Sequence, residues 1–265
     1  MDEPLLSPEK KERIRLIDGL RGVALLLMVL HHTLFDITYS FFDNSAFAVF
    51  CSKVCESPIL EYGLEPLFRS LFVFLSGVSC RFSRNNYRRG TITFLLGTAL
   101  EVITCVILPW FDPNMFSNCE IRFGILSCLG ACMILWGLLG DAFDRLAAKK
   151  HAKGALPVTL FLLFIVFCVL SEQYYDIDGL YWLGFASRTF YSADWFPVLP
   201  WFFMFLLGAY YGRPIRDRKF PAWFYEAKMP FFDTVGRYTL WIYLLHQPVV
   251  FGLCYFIFEF VLPRL

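Results

Sequence analysis

The first 40 residues contain a run of leucines and valines that also carries Asp18, Arg21, His31, His32 and Asp36. At 100° per residue, Asp18, Gly22, Leu25, Val29, His32 and Asp36 fall on one stripe of a helix, with Arg21 on its flank. His31 lies about 100° round the wheel from His32, so only His32 faces the same way as the charges. His32 and Asp36 are four residues apart, a spacing at which side chains meet. A carboxylate beside an imidazole fixes its tautomer and raises its basicity, the arrangement used for general-base work. The alternative for this dyad is buried glue between helices. Asp18 and Arg21 can form an i,i+3 ion pair and anchor, or face a phosphate-bearing cofactor, for which an arginine is suited. Gly19 and Gly22 allow close approach of another helix or a ligand. Arg21 and His32 are separated by about 16 Å along the axis at 1.5 Å per residue.

Further polar groups lie in other apolar runs. His246 stands beside Gln247 and Pro248, where a proline removes a backbone donor and should kink a helix, which suits a site lining a polar cavity. Its alternative is a hydrogen-bonded structural histidine. Glu101 needs a partner, for which His246 and Arg21 are candidates. Arg69 could snorkel or bind an anionic group of a substrate. Asp194 opens a run with two prolines and two tryptophans; it could hold an acceptor's hydroxyl or amine, or cap the helix that follows.

The elements that position these groups are long and apolar. About 20 apolar residues span a bilayer, and the chain divides into about seven such segments, near residues 16–39, 64–83, 91–110, 121–139, 155–171, 195–212 and 237–261. Lys10, Lys11, Arg13 and Arg15 precede the first. Arg81, Arg84, Arg88 and Arg89 follow the second; Arg145, Lys149, Lys150 and Lys153 follow the fourth; Arg213, Arg216, Arg218, Lys219, Lys228 and Arg237 follow the sixth. The other connections are poor in lysine and arginine and carry Asp43, Glu56, Glu61, Asp112, Glu120, Asp176, Asp178 and Asp194. Basic and acidic connections alternate, as the positive-inside rule requires of an N-in, C-out protein. The expected fold is therefore an all-α polytopic transmembrane bundle, one domain over residues 1–265, in the cell membrane.

Composition agrees. Of 265 residues 57% are hydrophobic and 18% charged, with a mean hydropathy of +0.54; a soluble domain of this length needs more polar surface. The net charge of +1 argues against a nucleic-acid partner. No cleavable signal peptide is apparent, because the first apolar run is long and holds ionisable groups. The nine cysteines form no CxxC pair, and a metal site is not expected from their spacing or that of the histidines. Cys51, Cys55 and Cys119 fall in expected outer connections, which leaves one external disulfide open.

Four stretches carry a resemblance. They are the run from Arg15 through Asp18, Gly19, Arg21 and Gly22 to His31 and His32, residues 71–79, residues 194–201 through Leu207 and Gly208, and residues 236–248. Together, and in this order, they resemble the heparan-α-glucosaminide N-acetyltransferase catalytic-domain family, in particular its short bacterial members. The resemblance implies a transmembrane acetyltransferase that takes acetyl-coenzyme A at the cytoplasmic face and acetylates a sugar amine or hydroxyl across the membrane. The arginine-to-histidine interval of the first helix is also similar to that of transmembrane acyltransferases that decorate bacterial surface glycans, whose matching residues are thought to be catalytic; these are Arg21 and His32 here. Residues 37–63 contain no histidine, although the lysosomal family member has its catalytic one in that interval. The heparan substrate is therefore not carried over, and His32 or His246 would have to serve.

The resulting expectation is a membrane acyltransferase of a bacterial envelope. His32, Asp36 and His246 are catalytic, Asp18 and Arg21 hold acetyl-coenzyme A, and Arg69, Asp194 and Gln247 meet a carbohydrate or glycan acceptor. Membrane lipid is a partner, and homo-oligomerisation is left open. Attack on the thioester by the acceptor or through an acetyl-histidine are both open. Two other classes compete. A transporter would use Glu101, His32 and His246 as a proton or ion relay, and a scaffold would tolerate change along the whole first-helix stripe.

Overall fold

A computed structural model of the chain describes residues 13–41, 45–112, 116 and 119–261. Lys10, Lys11 and Asp43, three of the charges behind the expected orientation, lie outside these residues. The structure is 77% helical, with no strand among the described residues beyond one isolated bridge between Tyr174 and Ala186. The helices are α1 (Arg15–Tyr39), α2 (Ala46–Cys55), α3 (Glu65–Cys80), α4 (Asn86–Val102), α5 (Leu108–Phe111), α6 (Ile125–Ala148), α7 (Ala152–Ser171), α8 (Val198–Arg216), α9 (Ala222–Glu226), α10 (Pro230–Arg237) and α11 (Thr239–Phe256). Three π-helical turns extend them: Leu60–Leu64 leads into α3, Ile103–Ile107 joins α4 to α5, and Ile257–Val261 ends α11. Local chemistry sets several starts. Ser45 accepts a hydrogen bond from Ala48 N at 3.1 Å and Asn85 from Arg88 N at 2.8 Å, each satisfying an orphan amide of a first turn. Pro230 opens α10, where a missing N–H costs nothing.

Among the described residues, six helical runs are long and apolar enough to cross a membrane: Arg15–Tyr39, Leu60–Cys80, Asn86–Phe111, Ile125–Ala148, Lys153–Ser171 and Thr239–Val261. The polytopic all-α reading holds. In the place of the expected sixth segment stands α8, whose apolar run is diluted by Arg213, Pro214 and Arg216 at its end. The fourth segment is shifted from its expected position. It begins at Ile125 rather than near 121, because Phe123 takes a positive φ of 53° and breaks the helix before it can form.

The chain divides into two compact units, residues 34–219 and residues 1–33 with 220–265. In the first, α4 packs most extensively on α6, and α8 packs on α3 and α7. Glycines set the α3–α8 approach: a Cβ on Gly77 would overlap the carbonyl oxygen of Phe205, and one on Gly208 would overlap that of Phe74. Half of the α6 membrane window is buried, against 11% for the α7 window; so α6 is a core helix, and α7 keeps its apolar surface for lipid. An arginine closes one end of this unit. Arg81 donates from Nε to Ala209 O at 2.7 Å and from both terminal nitrogens to Asp144, at 2.7 and 2.8 Å, beneath the Trp136 ring 4.5 Å away.

The second unit holds most of α1 with α9, α10 and α11. A Cβ on Gly22 would overlap the carbonyl oxygen of Phe232, and one on Gly236 that of Asp18. α1 and α10 thus meet backbone to backbone, which only glycine permits. The helix α11 runs without interruption through Pro248.

Candidate functional site

The stripe read on α1 is its more buried side, with Val29 and His32 half-buried. Asp18, Gly22, Leu25 and Asp36 are all buried, whereas Leu27 and Leu30 on the other side are exposed. An apolar helix that turns two carboxylates inward needs cations or donors to meet them. At its first turn they are present. Asp18 receives hydrogen bonds from Arg13 and from Arg21, the latter at 3.4 Å. Asp18 and Arg21 therefore form the i,i+3 pair that was one of their two readings, and Asp18 acts as the holder of two guanidinium groups.

A second pair stands beside the first. Arg15 Nε donates to Asp233 on α10 at 2.6 Å. The hydrogen bond from Arg15, helped by the nearby charge of Arg237, holds the Asp233 carboxyl below its ordinary range. Sequence reasoning missed Asp233 and treated Arg15 and Arg237 only as topology charges. The available signal was Gly236 three residues on, a small residue able to match Gly22.

Farther along α1 the structure brings the two candidate histidines together. The ring centroids of His32 and His246 lie 5.2 Å apart, across α1 and α11. His246 Nδ1 is 2.6 Å from the carbonyl oxygen of Tyr243, one turn earlier in α11. A carbonyl can only accept, so this contact assigns the proton to Nδ1 and leaves Nε2 as the basic nitrogen of the neutral ring. Tyr243, itself buried, also lies against His246, with centroids 5.4 Å apart. His31 points elsewhere round the helix, as its position on the wheel requires, yet meets His32 edge to face at 5.9 Å. Asp36, buried, is one turn beyond His32 on α1, and Gln247 adjoins His246 on α11.

The remaining candidates belong to the other unit, each with local partners. Arg69 pairs with Glu65 at 3.0 Å and lies 4.9 Å over the Phe196 ring. Asp194 accepts from the Ile125 amide at 3.1 Å; it caps α6, because the loop after Ser192 folds back onto residues 120–125. Glu101 receives the Phe123 amide at 3.5 Å, a partner among neither of those expected. All nine cysteines are free thiols, and no group of three or more metal-binding side chains occurs among the described residues.

The sequence matches the family described as heparan-alpha-glucosaminide N-acetyltransferase, catalytic, over residues 13–248. The chain belongs to that family. The match begins at the arginines before α1 and ends just past His246, so it contains every residue of the α1–α10–α11 site. Membership implies a membrane acetyltransferase and does not favour the transporter reading. No curated protein and no solved structure matches the chain.

Proposed function

We propose that this family member transfers an acetyl group from acetyl-coenzyme A, taken up on the cytoplasmic side, to the amine or hydroxyl of a sugar or glycan on the outer side of a cell membrane, as in a bacterial envelope. The observation that carries this reading is the apposition of His32 and His246. Both rings lie on long apolar helices, and the α1 helix that presents His32 also presents Arg21 about 16 Å away at its basic end. The donor's phosphates would meet the arginines, and its thioester would extend along the polar side of α1 toward the imidazoles.

The chemistry needs a base for the acceptor and an acid for the leaving thiolate. A neutral imidazole Nε2 takes the proton of the acceptor hydroxyl or amine. The freed electron pair attacks the thioester carbonyl, and the coenzyme A thiolate leaves with the proton the imidazole returns. Asp36, one turn from His32, would orient that ring, as Tyr243 O orients His246. In the alternative course an imidazole nitrogen itself accepts the acetyl group first. Arg69, Asp194 and Gln247 are retained as acceptor contacts.

With purified protein and labelled acetyl-coenzyme A, transfer or hydrolysis should be measurable, and His32→Ala and His246→Ala should each lower it by about 10²–10⁴-fold. Label that stays on denatured protein after one turnover marks the acetyl-histidine route. Full activity in both alanine variants would sink the proposal.

A further inference from the structure

The α1–α10 junction gathers Arg13, Arg15, Arg21 and Arg237 around two carboxylates, Asp18 and Asp233. Among the described residues cations outnumber carboxylates there by two, in a chain whose formal net charge is only +1. The two carboxylates are buried, Asp18 at 6% and Asp233 at 2% exposure, while the side chains of Arg13 and Arg15 are 55% and 42% exposed. Each acid is thus sunk into the helix junction and grips an arginine that reaches outward. On Arg15 the grip is at Nε, the nitrogen nearest the stem, and the side chain as a whole is 42% exposed; the terminal nitrogens form a fork of the kind that fits a phosphate. The support is rigid, because Gly236 lies three residues from Asp233 and is in backbone contact with Asp18 and Gly22.

We infer that Asp233 is a positioning residue that aims Arg15, alongside Arg237, at the phosphates of the donor's nucleotide. This rests on the acetyl-coenzyme A reading above and adds a residue and a ligand moiety to it. The helix tie at Arg81 buries its arginine, at 5% exposure; here the acid is buried and the arginine is 42% exposed. The cost of holding a flexible arginine in one direction is met before the ligand arrives, which improves donor binding without touching the bond that breaks.

The test uses two donors, acetyl-coenzyme A and S-acetylpantetheine, which presents the same thioester without the nucleotide phosphates. Asp233→Asn should raise KM for acetyl-coenzyme A about tenfold with kcat within about twofold of wild type, and should leave KM for S-acetylpantetheine unchanged. Arg15→Gln should do the same, and it carries the test if Asp233→Asn yields little folded protein. The exchanged pair, Arg15→Asp with Asp233→Arg, should recover thermal stability but not the KM for acetyl-coenzyme A. An equal rise for both donors, or full recovery of KM in the exchanged pair, overturns the inference in favour of a helix tie. Calorimetry with coenzyme A separates the two levels of the argument. Wild type that binds coenzyme A but transfers nothing overturns the transferase reading, whereas affinity unchanged by Asp233→Asn overturns the phosphate site.

Discussion

The α1–α10 and α3–α8 junctions are built to the same plan with opposite outcomes. Each is a crossing of two helices at facing glycines, and at each an arginine of the first helix, or of its C-cap, meets an aspartate from another helix. At the α3 end Arg81 is closed in. All three of its nitrogens are hydrogen-bonded, an indole covers its face, and its side chain is only 5% exposed. At the α1 end Arg15 makes a single bond to Asp233 and keeps much of its surface outside. The first arrangement satisfies every donor internally and has nothing left for a ligand; the second fixes a cation and leaves it presentable. One motif can therefore serve as a staple or as the floor of a binding site, according to which partner is buried.

The largest effect should come from the glycines of the staple. Gly208→Val forces a side chain into the Phe74 carbonyl of the facing helix, so no monodisperse folded protein should be recovered on size-exclusion chromatography. Gly22→Val should separate the two regions: transfer is lost while hydrogen exchange in α3 and α8 stays as slow as in wild type. Normal transfer by Gly22→Val would mean that the α1–α10 approach has no part in function.

Next in size is Asp144→Asn, which leaves Arg81 buried beside a neutral amide. Breaking a buried pair costs about 3–5 kcal/mol. With Asp144 itself 35% exposed, a loss of about 2–3 kcal/mol is expected, read as a drop of several degrees in Tm with donor KM unchanged.

Acid should weaken the open junction only at low pH. Arg15 lowers the Asp233 carboxyl below its unfolded value, so its contribution is fully present above about pH 4 and disappears as pH falls through the lower folded value. Thermal stability of Asp233→Asn relative to wild type should accordingly be constant from pH 8 to 5 and converge below about pH 4. The smallest effect is expected of Arg69→Gln, which removes one helical ion pair and one contact with Phe196, about 0.5–1 kcal/mol together. A rise in acceptor KM in that variant would support Arg69 as an acceptor contact.

The sequence made one side of this comparison legible and hid the other. The polar stripe of α1 could be read because helical periodicity fixes which residues share a face, and Asp18, Gly22, Leu25 and Asp36 on it are buried while Val29 and His32 are half-buried. His246 stood out because a histidine beside glutamine and proline is out of place in an apolar run. Periodicity gives the face of a helix but not what covers it. That α10 would meet α1 at Gly22, and that Asp233 would take Arg15, depend on contacts across more than 200 residues. Arg81 was counted for the orientation it implies, and a count of charges cannot tell a buried guanidinium from an exposed one. Asp194 was open to two readings, an acceptor contact or a cap of the helix that follows it, and its bond to the Ile125 amide at the start of α6 was in neither, because it depends on how the loop folds back.

Each of the three π turns among the described residues sits at one end of a long apolar helix. In the orientation expected from the charges, the start of α3, the end of the α4 run and the end of α11 all lie on the outer side. A π turn is a helix carrying one residue more than its α-helical register needs, and each extra residue turns the remaining side chains by about 100°. In α3 and α4, the stretches where Gly77 and Gly90 meet the backbone of a neighbouring helix admit no such insertion without separating the backbones. These two helices thus keep their register where they cross their neighbours and change it by a single residue outside the crossing, so a residue added or deleted there re-aims the side chains beyond it without disturbing the crossing itself.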